Sequence, residues 1–450
     1  MHKDIELKTI SDITSKIGLV EYNSICKKYI ADITKLWPIA FKKLCPNIKS
    51  HGESTMDLSY MNNLWKLFGI LHGKNLINES TKIQPYSAEC ETCVSNFEAK
   101  QNYKMVTEKS IYVKFKLLNP SAIFADCMSA SMIVWTTTPF TLFANTCVCM
   151  NDKIKYVAIQ LDDEDTECEW LITSKYFCDT QAEKLGLKIK TIIEIVDITT
   201  ALFMQSYIPP FSVNPFAFNK IVKDDYVTED MGTGFVHCAS AFGEDDHRVC
   251  SYFGITTHFD PTDSKMQYNH PSVPTKYQSR EARDCNADII ADLKTSNKLL
   301  LTTTIKHELP HCWRTDKPLY YKLVPTINLN IQKIKTQMLQ NFEHINFPND
   351  IGKERMRDSL EKAPDWCLSR TRLWGTPIPM WKSDDSQYLV ITSKEELQEV
   401  TCATEMLDDL HADHIPHTII KDKITYKWCN FVFDCWYESG AQFMAETEEC

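Results

Sequence analysis

Three consecutive hydroxyls, Thr136, Thr137 and Thr138, close the apolar run Met132-Ile133-Val134-Trp135 and lead into Pro139-Phe140-Thr141-Leu142-Phe143-Ala144-Asn145. Further along, Gly232-Thr233-Gly234-Phe235-Val236-His237 adds an imidazole, and Gly243-Glu244-Asp245-Asp246 adds carboxylates. Hydroxyls that place a water, a neutral imidazole and an anion are the parts of a hydrolytic pocket. Side chains alternate along a strand and each buried hydroxyl needs a partner, so three in a row cannot share one buried face. At least one is expected to meet a wet cleft. Nothing beside the threonines supplies the base that a covalent nucleophile requires, so attack by a positioned water is the simpler chemistry. Taken singly, each segment also reads as a Thr-rich edge strand or an acidic helix start.

The elements that must hold these groups are legible as patterns. Met132 to Thr136 and Phe235 to His237 read as short buried strands, and Gly243-Glu244-Asp245-Asp246 opens a helix whose exposed amides favour carboxylates. Further strands are expected at Ile111 to Leu117, Tyr156 to Leu161 and Ile192 to Val196, a texture that fits a barrel-like domain. Before them lie two amphipathic helices. Tyr22, Ile25, Cys26, Tyr29, Ile30, Ile33, Leu36 and Trp37 recur at helical spacing until Pro38, and Met61, Leu64, Trp65, Phe68 and Leu71 repeat the pattern between Asp57 as N-cap and Gly73. Both stripes are expected to face a core rather than a ligand.

Composition bounds the class. The chain has 450 residues, 43% hydrophobic and 24% charged, which suits two or three soluble domains. Its net charge of -11 weighs against a strongly basic nucleic-acid binder without excluding tRNA. No stretch approaches about 18 uninterrupted apolar residues, so no membrane helix is expected. Lys3, Asp4, Glu6 and Lys8 break any signal-like apolar start, and a cytoplasmic location follows. The 18 cysteines are scattered, as reduced core residues would be.

The ordered motifs resemble the editing domain of the isoleucyl-tRNA synthetase family, class I and eukaryotic-type; Thr138 stands where valyl and leucyl relatives usually carry arginine. The likeness extends to Pro85-Tyr86-Ser87-Ala88-Glu89-Cys90, His311-Cys312-Trp313-Arg314, Asp365-Trp366-Cys367-Leu368-Ser369-Arg370-Thr371-Arg372-Leu373-Trp374-Gly375 and Phe433-Asp434-Cys435-Trp436-Tyr437-Glu438. It implies an α/β fold: a split Rossmann-like catalytic domain at 1–81 and 311–450, interrupted by a β-rich, barrel-like editing domain at 82–310. It also implies ATP-dependent joining of isoleucine to tRNA(Ile) by the whole enzyme, with hydrolysis of mischarged valyl-tRNA(Ile). Isoleucine against valine is the well-known case of double-sieve editing, in which one methylene discriminates weakly and a second site hydrolyses the smaller product.

By that resemblance Thr136, Thr137, Thr138 and Asn145 hold the ribose, ester and water, His237 lines the amino-acid pocket, and Asp246 receives the α-ammonium group. Trp366, Arg370, Trp374, Asp434, Trp436 and Glu438 would shape the adenylate cleft, or equally serve as interior supports. Phe140, Phe143 and Ser240 depart from the family's usual tryptophan, proline and proline. The phosphate-handling strings His-Ile-Gly-His and Lys-Met-Ser-Lys-Ser occur nowhere in the sequence. A chain shortened at both ends is therefore expected, one that keeps at most the hydrolysis. ATP and Mg belong to the complete parent enzyme, and editing needs no cofactor. Zinc is not expected, because Cys90 and Cys93 meet only Cys312 and His311 where a fourth thiolate is missing. The alternatives are a stand-alone deacylase and an inactive remnant serving as a tRNA-binding or scaffold module.

Overall fold

The computed structural model describes residues 9–44, 54–162, 169–230, 232–402 and 407–445. Lys3 to Lys8 and the acidic close at Cys450, on which the expectations about the ends rest, lie outside these residues. The chain divides into two compact units, Met1–Thr81 with Pro325–Cys450, and Lys82–Val324. The second division falls at Val324 rather than near His311. The reason is local: Cys312 and Leu319 are buried with Val94 and Ala99, which ties the segment after His311 to the inserted unit.

The inserted unit is built on one ten-stranded sheet. Numbered within this unit, its strands are β1 (Tyr103–Leu117), β2 (Ala130–Thr136), β3 (Cys147–Met150), β4 (Tyr156–Leu161), β5 (Trp170–Ser174), β6 (Ile189–Ile195), β7 (Tyr207–Ile208), β8 (Ile221–Lys223), β9 (Phe235–Cys238) and β10 (Leu299–Pro310). The main path runs β8-β3-β9-β2-β5-β4-β6, and β1 pairs with β2, β7 and β10. Strand β2 is the pivot. One edge lies antiparallel to β1 from Ser131 to Thr136. The other edge is shared: Ala130 to Met132 lie parallel to β5, and Trp135 lies opposite Val236 of β9. This split delivers the end of β2, with its threonines, beside the end of β9, with its histidine.

Strand β2 stops where the sequence demands it. Pro139 has no N–H for a ladder but fits the first turn of a helix, and Pro139–Ala144 is a 3-10 helix with Thr138 as its N-cap. The Gly232-Thr233-Gly234 turn before β9 has φ of +81° and +80° at its glycines, which side chains disfavour. A Cβ on Gly234 would stand 2.9 Å from Ser174 and 3.0 Å from Tyr156. The main core of the unit gathers Val113, Phe115, Met132, Val134, Phe143 and Tyr156, all fully buried.

The other unit is a mixed α/β body. Its antiparallel ladder runs Tyr388–Val390, Met380–Ser383, Ile424–Trp428, Thr418–Lys421. Helix Leu58–Gly73 buries Met61, Leu64, Trp65 and Phe68 completely, a gain of roughly 2 kcal/mol for each such side chain. The stripe between Tyr22 and Trp37 behaves otherwise. It breaks into helices Leu19–Thr34 and Trp37–Leu44, with Pro38 inside the first turn of the second rather than ending the first. Tyr29, Leu36 and Trp37 are exposed, and among the described residues of these two helices only Asn23 is buried. The expectation of a core-facing stripe fails here because periodicity marks a face without naming what covers it. Among the described residues no helix is long and apolar enough to cross a membrane.

Candidate active site

The threonine run alternates as a strand end must. Thr136 is buried, and its hydroxyl oxygen accepts the Thr138 amide N–H at 3.1 Å. The half-buried Thr138 hydroxyl stands 3.2 Å from the hydroxyl oxygens of both Thr136 and Thr141. Thr141 donates to the Thr138 carbonyl at 2.8 Å. Thr137 points elsewhere, into a pocket lined also by Pro139, Arg283 and Asn286.

His237 continues the network. Its Nδ1 lies 2.8 Å from the Asn145 amide nitrogen and its Nε2 lies 3.1 Å from the Thr141 hydroxyl. The orientation of Asn145 is set by its other partners: Nδ2 donates to the Cys147 carbonyl at 3.2 Å, and Oδ1 accepts from the Tyr207 hydroxyl at 2.7 Å. A flipped amide would aim oxygen at oxygen. Nδ1 of His237 is therefore an acceptor, the proton sits on Nε2, and Nε2–H donates to Thr141. Burial pulls the imidazole pKa down to about 4, so the ring is neutral at ordinary pH. Both of its nitrogens are occupied.

Asp246 stands apart from this chain of bonds. It lies in helix Glu244–Tyr252, whose first turn carries Glu244, Asp245 and Asp246. Its Oδ2 accepts the Ala239 amide at 2.9 Å, and its Oδ1 is 3.5 Å from the Tyr226 hydroxyl. That hydroxyl is also 3.5 Å from Cys238 Sγ. His237 and Cys238 are successive strand residues, so Asp246 belongs to the face of β9 that Cys238 occupies. Burial, and then the neighbouring Cys238, push its carboxyl well above the usual carboxylate range. A Cβ on Gly243 would stand 2.6 Å from Oδ2, so the glycine makes room for this rotamer.

The structure thus brings Thr136, Thr138 and His237 into one network and places Asn145 in it as a core residue, 1% exposed with every amide group engaged. Three contributors were missed. Thr141 lay in view inside the run, whereas Tyr207 and Tyr226 carry no motif and are brought in only by the fold. The departures from the family pattern are packing residues: Phe143 meets Phe211, Tyr268 and Tyr277, and Ser240 is fully buried 3.2 Å from the Thr146 hydroxyl.

The second set of candidates, in the other unit, forms a closed cluster. Asp434 receives Arg370 at 2.7 Å and the Trp366 indole N–H at 3.1 Å on Oδ2, while Oδ1 caps the Trp436 amide at 3.2 Å. Arg370 also donates to the Cys367 and Ser369 carbonyls. Glu438 accepts the Thr376 hydroxyl at 2.7 Å, and its carboxyl is raised by burial. Trp374 stacks on His411 at 4.1 Å, and the Trp436 side chain is exposed. ATP with its Mg would be a substrate of synthesis. Arg370 and Trp366 both turn toward Asp434.

Among the described residues no group of three or more His, Cys, Asp or Glu side chains is placed to hold a metal.

The description "tRNA synthetases class I (I, L, M and V)" belongs to the family model that matches residues 2–449. The isoleucine–tRNA ligase of Chlamydia caviae is 35% identical over 457 residues, covering 99% of this chain and 42% of that protein. That of Antonospora locustae is 33% identical, covering 99% of this chain and 69% of its own length. The chain thus spans less than half of the bacterial relative. A crystal structure of the P. falciparum cytosolic leucyl-tRNA synthetase editing domain aligns with 44% of this chain and 99% of its own, at 10% identity and a TM-score of 0.32.

Proposed function

The chain belongs to the class I tRNA synthetases of the isoleucine, leucine, methionine and valine group, and on that premise we propose that its inserted unit hydrolyses the ester of valyl-tRNA(Ile). The observation that carries this reading is the continuous network Thr136–Thr138–Thr141–His237–Asn145, half-buried at Thr138 and anchored in the core at Asn145. The hydroxyls of Thr136 and Thr138 orient the water and the ester at the end of the tRNA. His237 is a positioning group: neutral, with both nitrogens engaged, it fixes Thr141 and through it Thr138. The rate then comes from holding water and ester in line, and hydroxyl donors meet the charge that develops on the carbonyl oxygen.

Asp246 receives the α-ammonium group. An arriving cation favours the ionised form, which offsets the effect of burial on its carboxyl. The parent activity, ATP-dependent joining of isoleucine to tRNA(Ile) in the cytoplasm, belongs to the same proposal as the function of the longer relatives' kind. The engagement of Arg370 with Asp434 and two carbonyls favours a second, narrower reading, in which this chain is a deacylase alone.

The test is hydrolysis of valyl-tRNA(Ile) against isoleucyl-tRNA(Ile) by the chain and its Asp246→Ala variant. Selective loss of the valyl ester, abolished by the substitution, is expected. Folded protein that hydrolyses neither ester would leave a tRNA-binding or scaffold module in its place.

A further inference from the structure

A patch of thiols lies under the proposed site, on the face of the sheet that Asp246 shares. Cys147 and Cys149 alternate to one side of β3, and Cys238 of β9 lies opposite Cys147. Helix Glu244–Tyr252 covers the patch and lowers Cys250 onto it, so that the Cys250 and Cys147 sulfurs stand 3.7 Å apart. Both side chains are fully buried.

None of the roles above uses a thiol, yet this pair joins the two halves of the site. Cys250 follows Asp246 by one helical turn, so the two side chains share a face of the helix. The backbone carbonyl of Cys147 accepts from the Asn145 amide at 3.2 Å, and Asn145 in turn anchors His237. A covalent link between the sulfurs would tie the carboxylate's helix to the strand that anchors the histidine.

A disulfide needs an S–S distance of about 2.0 Å, so the sulfurs must close by about 1.7 Å from their present contact. The strand cannot supply that movement, because the Thr146 amide donates to the Cys238 carbonyl at 2.8 Å and the ladder fixes β3 against β9. The helix can. It buries only Val249 and Cys250, while Glu244, Asp245, Arg248, Ser251 and Tyr252 are exposed. A nine-residue helix held by so little core opens and shifts at low cost, and the opening admits a small oxidant to Cys250.

We infer that Cys147 and Cys250 are an oxidisable pair whose disulfide draws the helix toward β3, moves Asp246 off the Ala239 amide and lowers hydrolysis. The oxidant is a peroxide. The Cys250 thiolate attacks one peroxide oxygen, the O–O bond breaks, and the leaving hydroxide takes up the proton that the thiol released. The Cys147 sulfur then attacks the sulfenic sulfur of Cys250. The S–S bond forms, the S–O bond breaks, and the second hydroxide leaves as water with the Cys147 thiol proton. Two thiols thus lose two electrons, and one hydrogen peroxide becomes two waters. The inference deepens the proposed hydrolysis and rests on it only for the effect on rate.

The test treats the whole chain with hydrogen peroxide, blocks the remaining thiols and maps the linked peptides by mass spectrometry. Hydrogen exchange and valyl-tRNA(Ile) hydrolysis are followed on the same samples. A Cys147–Cys250 link is expected, with slower amide exchange across Glu244–Tyr252 and hydrolysis lowered about tenfold or more, all reversed by dithiothreitol. Cys250→Ala should hydrolyse the ester as the reduced chain does and lose the response to peroxide; Cys250→Val fills the space if the alanine variant does not fold. The inference is overturned by no link once the exposed Cys402 and Cys435 have reacted, by a link to another partner, or by a rate loss that persists in Cys250→Ala. A link that leaves hydrolysis by an active chain unchanged would overturn it equally. A link with slowed exchange, in a chain that hydrolyses neither ester even when reduced, would keep the thiol pair and sink the deacylase reading.

Discussion

Two polar constellations in this protein carry motif residues of similar kinds, and they end differently. Around Thr136, Thr138 and His237 the bonds run from a buried anchor, Asn145, out to a half-buried hydroxyl whose partners are only other hydroxyls and that retains capacity for a substrate. Around Asp434 the bonds close on themselves. Arg370, Trp366 and the Trp436 amide occupy both oxygens of the carboxylate, and two backbone carbonyls take the Nη1 hydrogens of the guanidinium. A residue type that could do chemistry does so only if the fold leaves part of its hydrogen-bonding capacity unspent.

The largest effect that would break the comparison comes from the closed cluster. Asp434→Ala strands a partly buried guanidinium and an indole N–H, and should cost about 3 kcal/mol in urea unfolding of the protein. A loss under about 1 kcal/mol would mean that Arg370 is free to serve a ligand after all. At Asp246, beside the open network, the matching substitution acts on rate. Asp246→Asn should lower valyl-tRNA(Ile) hydrolysis about a hundredfold while leaving the unfolding midpoint within about 0.5 kcal/mol of wild type or above it.

The two titrating groups beside β9 sharpen the contrast through pH. The His237 pKa is depressed in the folded state to about 4, so the unfolded chain takes up a proton first as pH falls from 6.5. Stability should therefore decline between about pH 6.5 and 4, and His237→Gln should flatten that decline. Asp246 has the opposite sign. Its folded pKa is raised, so the folded state holds the proton longer, and stability should fall as pH rises from about 4 through the folded value. Asp246→Asn should remove that slope in denaturation curves taken across the range. The smallest effect is at Gly243. An added methyl group displaces the Asp246 carboxylate from the Ala239 amide, and Gly243→Ala should lower hydrolysis several-fold, about 1 kcal/mol in the barrier, with KM for the valyl ester rising more than kcat falls.

Much of the fold was readable. Strands at Met132 to Thr136, Tyr156 to Leu161 and Phe235 to His237 appear within Ala130–Thr136, Tyr156–Leu161 and Phe235–Cys238, because short apolar runs bounded by Gly, Pro or polar turns have few other ways to be satisfied. The helix of Met61, Leu64, Trp65 and Phe68 was readable for the same reason. The stripe of Tyr29 and Trp37 misled, since a periodic apolar face is local information and its cover is not.

By itself, then, the sequence determined the residue types, their order and the local elements that carry them: hydroxyls at the end of a strand stopped by Pro139, a histidine in a strand entered through two positive-φ glycines, carboxylates in the first turn of a helix. Those follow from backbone preferences and side-chain alternation, which act over a few residues. Only the tertiary structure decided which groups remain available. The pairing of Trp135 with Val236 joins the threonines to His237, Tyr207 fixes the amide of Asn145, and Thr137 is turned into a pocket of its own. Each of those outcomes depends on partners tens of residues away in the chain, and hydrogen-bond capacity is spent or spared by neighbours in space.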